Sequence, residues 1–212
     1  MGAALAWSTA AAERRALADD LDNLTDEQWT TASLCTGWDV RTVTAHLVAA
    51  LDPSPWPLVA ALVRTGGRPH RANSVVARRT ADQPIADLVS ALRQRADTRA
   101  APPVIGARGP LTDVLVHSGD IRLSLGLRHE PSPEGVRMAL DFVVDGRPVG
   151  FTPRGRLTGL RLLAEDLGAS WGEGEPVAGR GIDLLMAACG RSTVLGQLHG
   201  PGADLLARRL DH

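Results

Sequence analysis

The sequence predicts an α plus α+β protein, in which a four-helix bundle is followed by a small α+β C-terminal domain. Every predicted element before Gly126 has apolar residues at helical spacing, and the connections between these elements are short. After the proline-containing stretch 127–133, alternating apolar residues and glycine turns predict strands as well as helices. We therefore expect a bundle over 1–127 and a second domain over 128–212.

The sequence predicts two helices before residue 33. The first covers about 3–21, and a capping box formed by Thr25 and Gln28 predicts a short second helix that ends near Ala32. A loop at 33–39 follows. The early chain is therefore helical, with one longer connection.

The third helix carries the first candidate site residue. Asp39 is a suitable N-cap, and the helix is expected to break before Pro53. His46 borders the apolar stripe of this helix, which comprises Val40, Val43 and Leu47. A histidine in this position is more often a hydrogen-bonded core residue than a ligand.

Three further helices and two connectors precede the central helix. The helices are predicted at 54–64, 73–80 and 84–99. A Gly- and Arg-rich loop at 65–71 carries His70, a spare candidate ligand, and a Pro- and Gly-rich connector covers 100–109.

The central helix is predicted from Pro110 to Gly126, between a proline suited to a first turn and a glycine suited to a C-terminal cap. One polar stripe along it comprises Asp113, His117, Asp120 and Ser124. Such a stripe is ordinarily a solvated face. Asp113 and His117 are also one turn apart, however, and a carboxylate and an imidazole at this spacing form half of a divalent metal site.

The second domain is predicted to contain helices and three short strands. The helices are at 134–144, 182–189 and 203–210. A strand at 155–164 forms a hairpin with 169–172, and a third strand begins at Val177.

The residues themselves suggest one metal site. Inward-facing side chains on facing bundle helices build such sites, and His46 on the third helix complements Asp113 and His117. Two imidazoles and one carboxylate suit zinc, nickel or iron better than magnesium or calcium. Three protein ligands leave one position open, which is typical of reactive sites. Asp120, one turn beyond His117, is placed to accept a hydrogen bond from its imidazole.

Several motifs resemble those of the mycothiol-dependent maleylpyruvate isomerase family. The first is SLCTGWDVRTVTAHL at 33–47, and the second is DVLVHSGDIR at 113–122 with the following Leu125-Gly126. Looser similarity covers 160–166 and 171–174, and then Gly190-Arg191. The resemblance extends in order over nearly the whole chain.

The resemblance implies a DinB-like bundle that binds a divalent metal, typically zinc, through His46, Asp113 and His117. It also implies mycothiol as the thiol cosubstrate, because a metal-bound thiol is deprotonated and nucleophilic. In an isomerase, thiolate addition to a cis double bond would allow rotation before elimination; in an S-transferase, the thiolate would stay attached to the electrophile. The family carboxylate is usually glutamate, so the shorter Asp113 requires closer helices or a bridging water. Arg191 is implied as the residue that meets an anionic substrate, although an arginine near a helix end often only complements its dipole.

Two other functions stay open at this point. One is a metal-hydroxide hydrolase on the same scaffold, and the other is a non-catalytic protein that binds a metal or a small molecule. The sequence does not distinguish a monomer from a homodimer. Trp38 is most simply explained by core or rim packing, and Cys189 by packing. Cys35 precedes the Gly-Trp turn and could lie near the metal, but a small buried thiol is the simpler role.

Composition restricts the partners. The net charge is −1, which argues against nucleic-acid and polybasic membrane surfaces. Cys35 and Cys189 do not form a disulfide framework, and no apolar run has the length of a signal peptide or membrane span. We expect a cytoplasmic protein whose partners are mycothiol and a small electrophilic substrate.

Overall fold

The computed structural model describes residues 2–101, 105–146, 148 and 150–210. The helices in these ranges are α1 (Gly2–Leu21), α2 (Asp26–Trp29), α3 (Val40–Ala50), α4 (Trp56–Arg64), α5 (Pro69–Thr80), α6 (Ile85–Gln94), α7 (Arg108–Ser124), α8 (Pro133–Asp145), α9 (Gly181–Ala188) and α10 (Ala203–Leu210). The strands are β1 (Leu160–Ala164), β2 (Ala169–Trp171) and β3 (Glu175–Gly179), and a short 3₁₀-helix covers Ser192–Gln197. Among the described residues, no helix combines the length and apolarity needed to cross a membrane. The predicted α plus α+β class is confirmed.

The chain forms two compact units that are not consecutive in sequence. The bundle unit contains Ala10–Ala100 and His117–His129. The mixed unit contains Met1–Thr9, Ala101–Val116 and Glu130–His212. Helices α1 and α7 each contribute to both units. Because these units are not consecutive in sequence, they do not test the predicted domain boundary after residue 127, which stays a prediction.

In the bundle unit, α3 packs against α5 and α6, and α4 packs against α5. The predicted stripe of α3 is buried, because Val40 and Val43 are inaccessible to solvent and Leu47 is nearly so. Burial of side chains of this size stabilises the fold by about 1.5–3 kcal/mol each. The stripe thus fixes the rotation of α3 and the direction in which its other residues point.

The mixed unit contains a three-stranded sheet in the order β2-β1-β3. Strand β1 is antiparallel to β2 and parallel to β3. Its alternating residues Leu160, Leu162 and Ala164 are buried, as the period of two predicts. Helices α8 and α9 pack against each other beside this sheet.

Several predicted boundaries are wrong. His70 lies in helix α5, not in a loop, because Pro69 occupies the first turn and starts the helix earlier. The strand predicted from 155 begins only at Leu160, since Gly155 and Gly159 have positive φ values of 85° and 71° and form turns. The second helix ends at Trp29 and the sixth at Gln94, both earlier than predicted. Residues 102–104 of the predicted connector lie outside the described residues.

A buried ion cluster ties α7 to α1 within the bundle unit. The Arg122 guanidinium donates to Glu13, and its Nε donates to Asp20 at 2.7 Å. The side chains of Arg122 and Glu13 are 8% and 9% exposed. Burial lowers the pKa of Arg122, but the two carboxylates outweigh burial and raise it above its usual value. The last turns of α7 are therefore anchored by charge as well as by apolar contacts.

We predict that Arg122→Met lowers the free energy of unfolding by about 3 kcal/mol, because it leaves the buried Glu13 carboxylate without its cation. Arg93→Met is the matched control: Arg93 also bridges two carboxylates, Asp19 and Asp22, but on the exposed surface. Its loss should change stability little. Urea unfolding of both variants makes the comparison, and equal losses would contradict an anchoring role for the buried cluster.

Candidate metal centre

Two histidines from different helices meet in the bundle unit. The ring centroids of His46 on α3 and His117 on α7 are 4.8 Å apart, with the rings edge to face at 71°. Both residues are only partly exposed, and the side chain of His117 is 13% exposed. The pairing that the sequence predicts from separate helices is therefore present.

Local capping and packing position His46. The Asp39 side chain accepts a hydrogen bond from Thr42 N–H at 2.7 Å and begins α3 at Val40. Val43 and Leu47 flank His46 and are buried. Because these neighbours fix the helix rotation, His46 emerges at the edge of the apolar face.

The carboxylate of Asp113 completes a three-residue set. Asp113 precedes His117 by one turn of the same continuous helix, α7, so that helix fixes their spacing. One ligand atom from each of His46, Asp113 and His117 lies within 4.8 Å of the others.

This set fits a divalent ion. Ligand atoms of a tetrahedral zinc ion are about 3.3–3.6 Å apart, given bonds of about 2.0–2.2 Å. Small side-chain rotations would therefore bring the three atoms onto one ion. The shorter side chain of aspartate does not remove Asp113 from reach.

Asp120 lies behind His117, as its spacing predicts. Its Oδ2 is 2.9 Å from His117 Nδ1, and its side chain is completely buried. An ionised carboxylate accepts the Nδ1 proton, so this contact selects one tautomer and leaves Nε2 to face an ion. Asp120 thus fixes both the ring plane and the nitrogen available for coordination.

The loop at 33–39 forms one side of the site through Trp38. The Trp38 ring lies at 23° to the His117 ring with centroids 6.2 Å apart. It lies at 50° to the His46 ring with centroids 5.2 Å apart. Trp38 therefore packs beside both imidazoles, in agreement with rim packing, and the sequence did not identify these two neighbours.

Hydrogen bonds hold this loop in place. The N–H and hydroxyl of Ser33 both donate to the Trp38 carbonyl, and Trp38 N–H donates to the Cys35 carbonyl at 3.0 Å. Gly37 has a φ of 78°, which favours glycine, and its carbonyl accepts a hydrogen bond from Arg78 of α5 at 3.0 Å. The Gly-Trp pair was the available sequence signal for this turn.

Cys35 also lies near the site, which is the alternative that the sequence left open for it. It is half-buried, and its sulfur lies within 4.8 Å of ligand atoms of His117 and Asp120. This is a second group of potential metal ligands, and it shares His117 with the first. By contrast, Cys189 is buried at the end of α9, as predicted.

Arg191, the predicted substrate-binding arginine, belongs to the mixed unit. It follows α9, and its guanidinium donates to the Cys189 carbonyl at 2.7 Å. Arg156 donates to the neighbouring Ala188 carbonyl. Burial, with a contribution from Arg191, lowers the pKa of Arg156. The catalytic role of Arg191 stays a prediction.

Comparisons with known proteins point to one family. Residues 10–122, more than half of the chain, match the profile of a family described as mycothiol maleylpyruvate isomerase N-terminal domain. The structure resembles that of a mycothiol-dependent maleylpyruvate isomerase with a TM-score of 0.56, and that of a mutant with a TM-score of 0.60. In both cases the identity is 15%, and the match covers 93% of this chain and 92% of the other. This structural likeness shows the fold alone. No curated protein sequence matches the chain significantly.

We predict that His46→Ala and His117→Ala each weaken binding of the first equivalent of zinc by at least about tenfold, because each removes a ligand. Asp113→Asn should weaken binding less, because the amide oxygen keeps a neutral donor in place. Competition with a chromophoric chelator measures all three affinities.

His70→Ala is the control for these variants, because His70 is exposed on α5 and outside the three-residue set. The zinc affinity of the His70→Ala variant should equal that of the wild type. Unchanged affinity in His46→Ala or His117→Ala would overturn the assignment, and unchanged affinity in Asp113→Asn would exclude Asp113 from the ligands.

Proposed function

Because the chain belongs to the mycothiol maleylpyruvate isomerase family, we propose that it is a mycothiol-dependent metalloenzyme that acts on a small electrophile. His46, Asp113 and His117 would hold the divalent ion, for which zinc suits the donor set best. The observation that carries this proposal is the convergence of their ligand atoms within 4.8 Å. The reaction is an isomerisation or an S-transfer that starts from the thiolate of mycothiol.

The bound ion would supply one chemical function: it keeps a thiol deprotonated at neutral pH. Residues around the proposed ion orient and shield its ligands. Asp120 holds the Nδ1 proton of His117 and keeps the ring plane fixed. Trp38 lies beside both imidazoles, where its ring would shield one side of them from water.

Arg191 is the proposed residue for binding an anionic group of the substrate. A guanidinium recognises a carboxylate through two parallel hydrogen bonds, which favours such a role. We expect Arg191→Ala to raise KM for an anionic substrate by about tenfold or more while zinc affinity stays unchanged. Steady-state kinetics and chelator competition on the same preparation make the test. If KM does not change, Arg191 only caps α9.

The central test uses protein loaded with one equivalent of cobalt and titrated with mycothiol. We expect a thiolate-to-cobalt charge-transfer band that grows as mycothiol is added and saturates at one added thiol per chain. The band should be absent from His117→Ala, which lacks a ligand, and present in His70→Ala.

Each alternative has its own outcome. Cobalt binding without a mycothiol-dependent band would reject the thiol mechanism and favour hydrolysis by metal hydroxide. No cobalt binding would reject a metalloenzyme altogether.

A further inference from the structure

We propose that Cys35, His117 and Asp120 form a second cation site, selective for thiophilic divalent ions, that competes with the first set for His117. One ligand atom of each residue lies within 4.8 Å of the others. They offer sulfur, nitrogen and oxygen, and the thiolate favours soft ions such as cadmium more strongly than the nitrogen and oxygen ligands of the first set do. All three residues belong to the bundle unit.

The contact between His117 and Asp120 is already close to the geometry of two ligands on one ion. Their Nδ1 and Oδ2 atoms are 2.9 Å apart. Two such ligands on a tetrahedral zinc ion are about 3.3 Å apart, so the pair needs to open by about 0.4 Å. An ion would thus replace the proton between the two atoms without moving either helix or loop far.

The position of Cys35 is set by backbone contacts next to it. Leu34 N–H donates to the Asp120 carbonyl at 3.3 Å, which joins the loop to α7. Cys35 N–H donates to Ser33 Oγ at 3.1 Å. Because Asp120 is completely buried and Cys35 is half-buried, the site combines a shielded carboxylate with a thiol that an ion can reach.

Ions at the two sites would compete, because each site uses a different nitrogen of the same His117 imidazole. In the proposed first set, His117 uses Nε2 and keeps its Nδ1 proton for Asp120. An ion at Nδ1 removes that proton and the contact that orients the ring. Binding at the second site must therefore weaken binding at the first, and the effect is reciprocal. This competition rests on the proposed function, whereas the existence of the second site does not.

The test is a cadmium titration of metal-free protein without added thiol, followed through the ultraviolet thiolate-to-cadmium band. We expect a band in the wild type that Cys35→Ser abolishes, with cadmium affinity lowered by at least about tenfold. Cys189→Ala is the matched control, because it removes the other cysteine and should retain the band. His46→Ala should also retain it, since His46 is not in the second set.

Three results would overturn this proposal: no thiolate band in the wild type, an unchanged band in Cys35→Ser, or loss of the band in His46→Ala. Cys35→Ala, with its helix content checked by circular dichroism, must reproduce Cys35→Ser and so separates ligand loss from misfolding. Failure of the proposed function looks different. It would appear as no mycothiol-dependent band in cobalt-loaded Cys35→Ser, where only the first set remains.

Discussion

The arrangement of this site depends on the contact between His117 Nδ1 and the buried carboxylate of Asp120. A buried carboxylate needs a partner, and the imidazole N–H supplies it. The same contact decides which nitrogen of His117 is left to face an ion. Because the two residues are three apart on α7, a single helical segment sets the distance, and the Arg122 cluster anchors that segment to α1.

The loop at 33–39 brings the remaining groups to this helix. Its Leu34 N–H donates to the Asp120 carbonyl, so the loop contacts α7 at the same residue that orients His117. The turn places Trp38 against both imidazoles and Cys35 beside Asp120 and His117. A single loop therefore contributes to the environment of the proposed catalytic ion and to the proposed thiophilic site.

Local signals explain what could be predicted from the sequence. The Asp39 cap, the Thr25 capping box and the period of α3 are local, so His46 could be placed on the edge of a buried face. The spacing of Asp113, His117 and Asp120 needs only a helix. The sequence left a place near the metal open for Cys35 and rim packing open for Trp38. It could not give their contacts with the imidazoles and Asp120, because these depend on a positive φ at Gly37 and on contacts with α5 and α7. The composition of the two compact units has no local signal in the sequence, since α1 and α7 each contribute residues to both units.

X-ray absorption spectroscopy of zinc-loaded Cys35→Ser protein shows whether the first set holds an ion that accepts a thiol. Without Cys35, added mycothiol is the source of sulfur for this ion. We predict two imidazole ligands before and after mycothiol is added, and one sulfur at about 2.3 Å only afterwards. A zinc environment without imidazole, or one that gains no sulfur from mycothiol, would contradict this prediction.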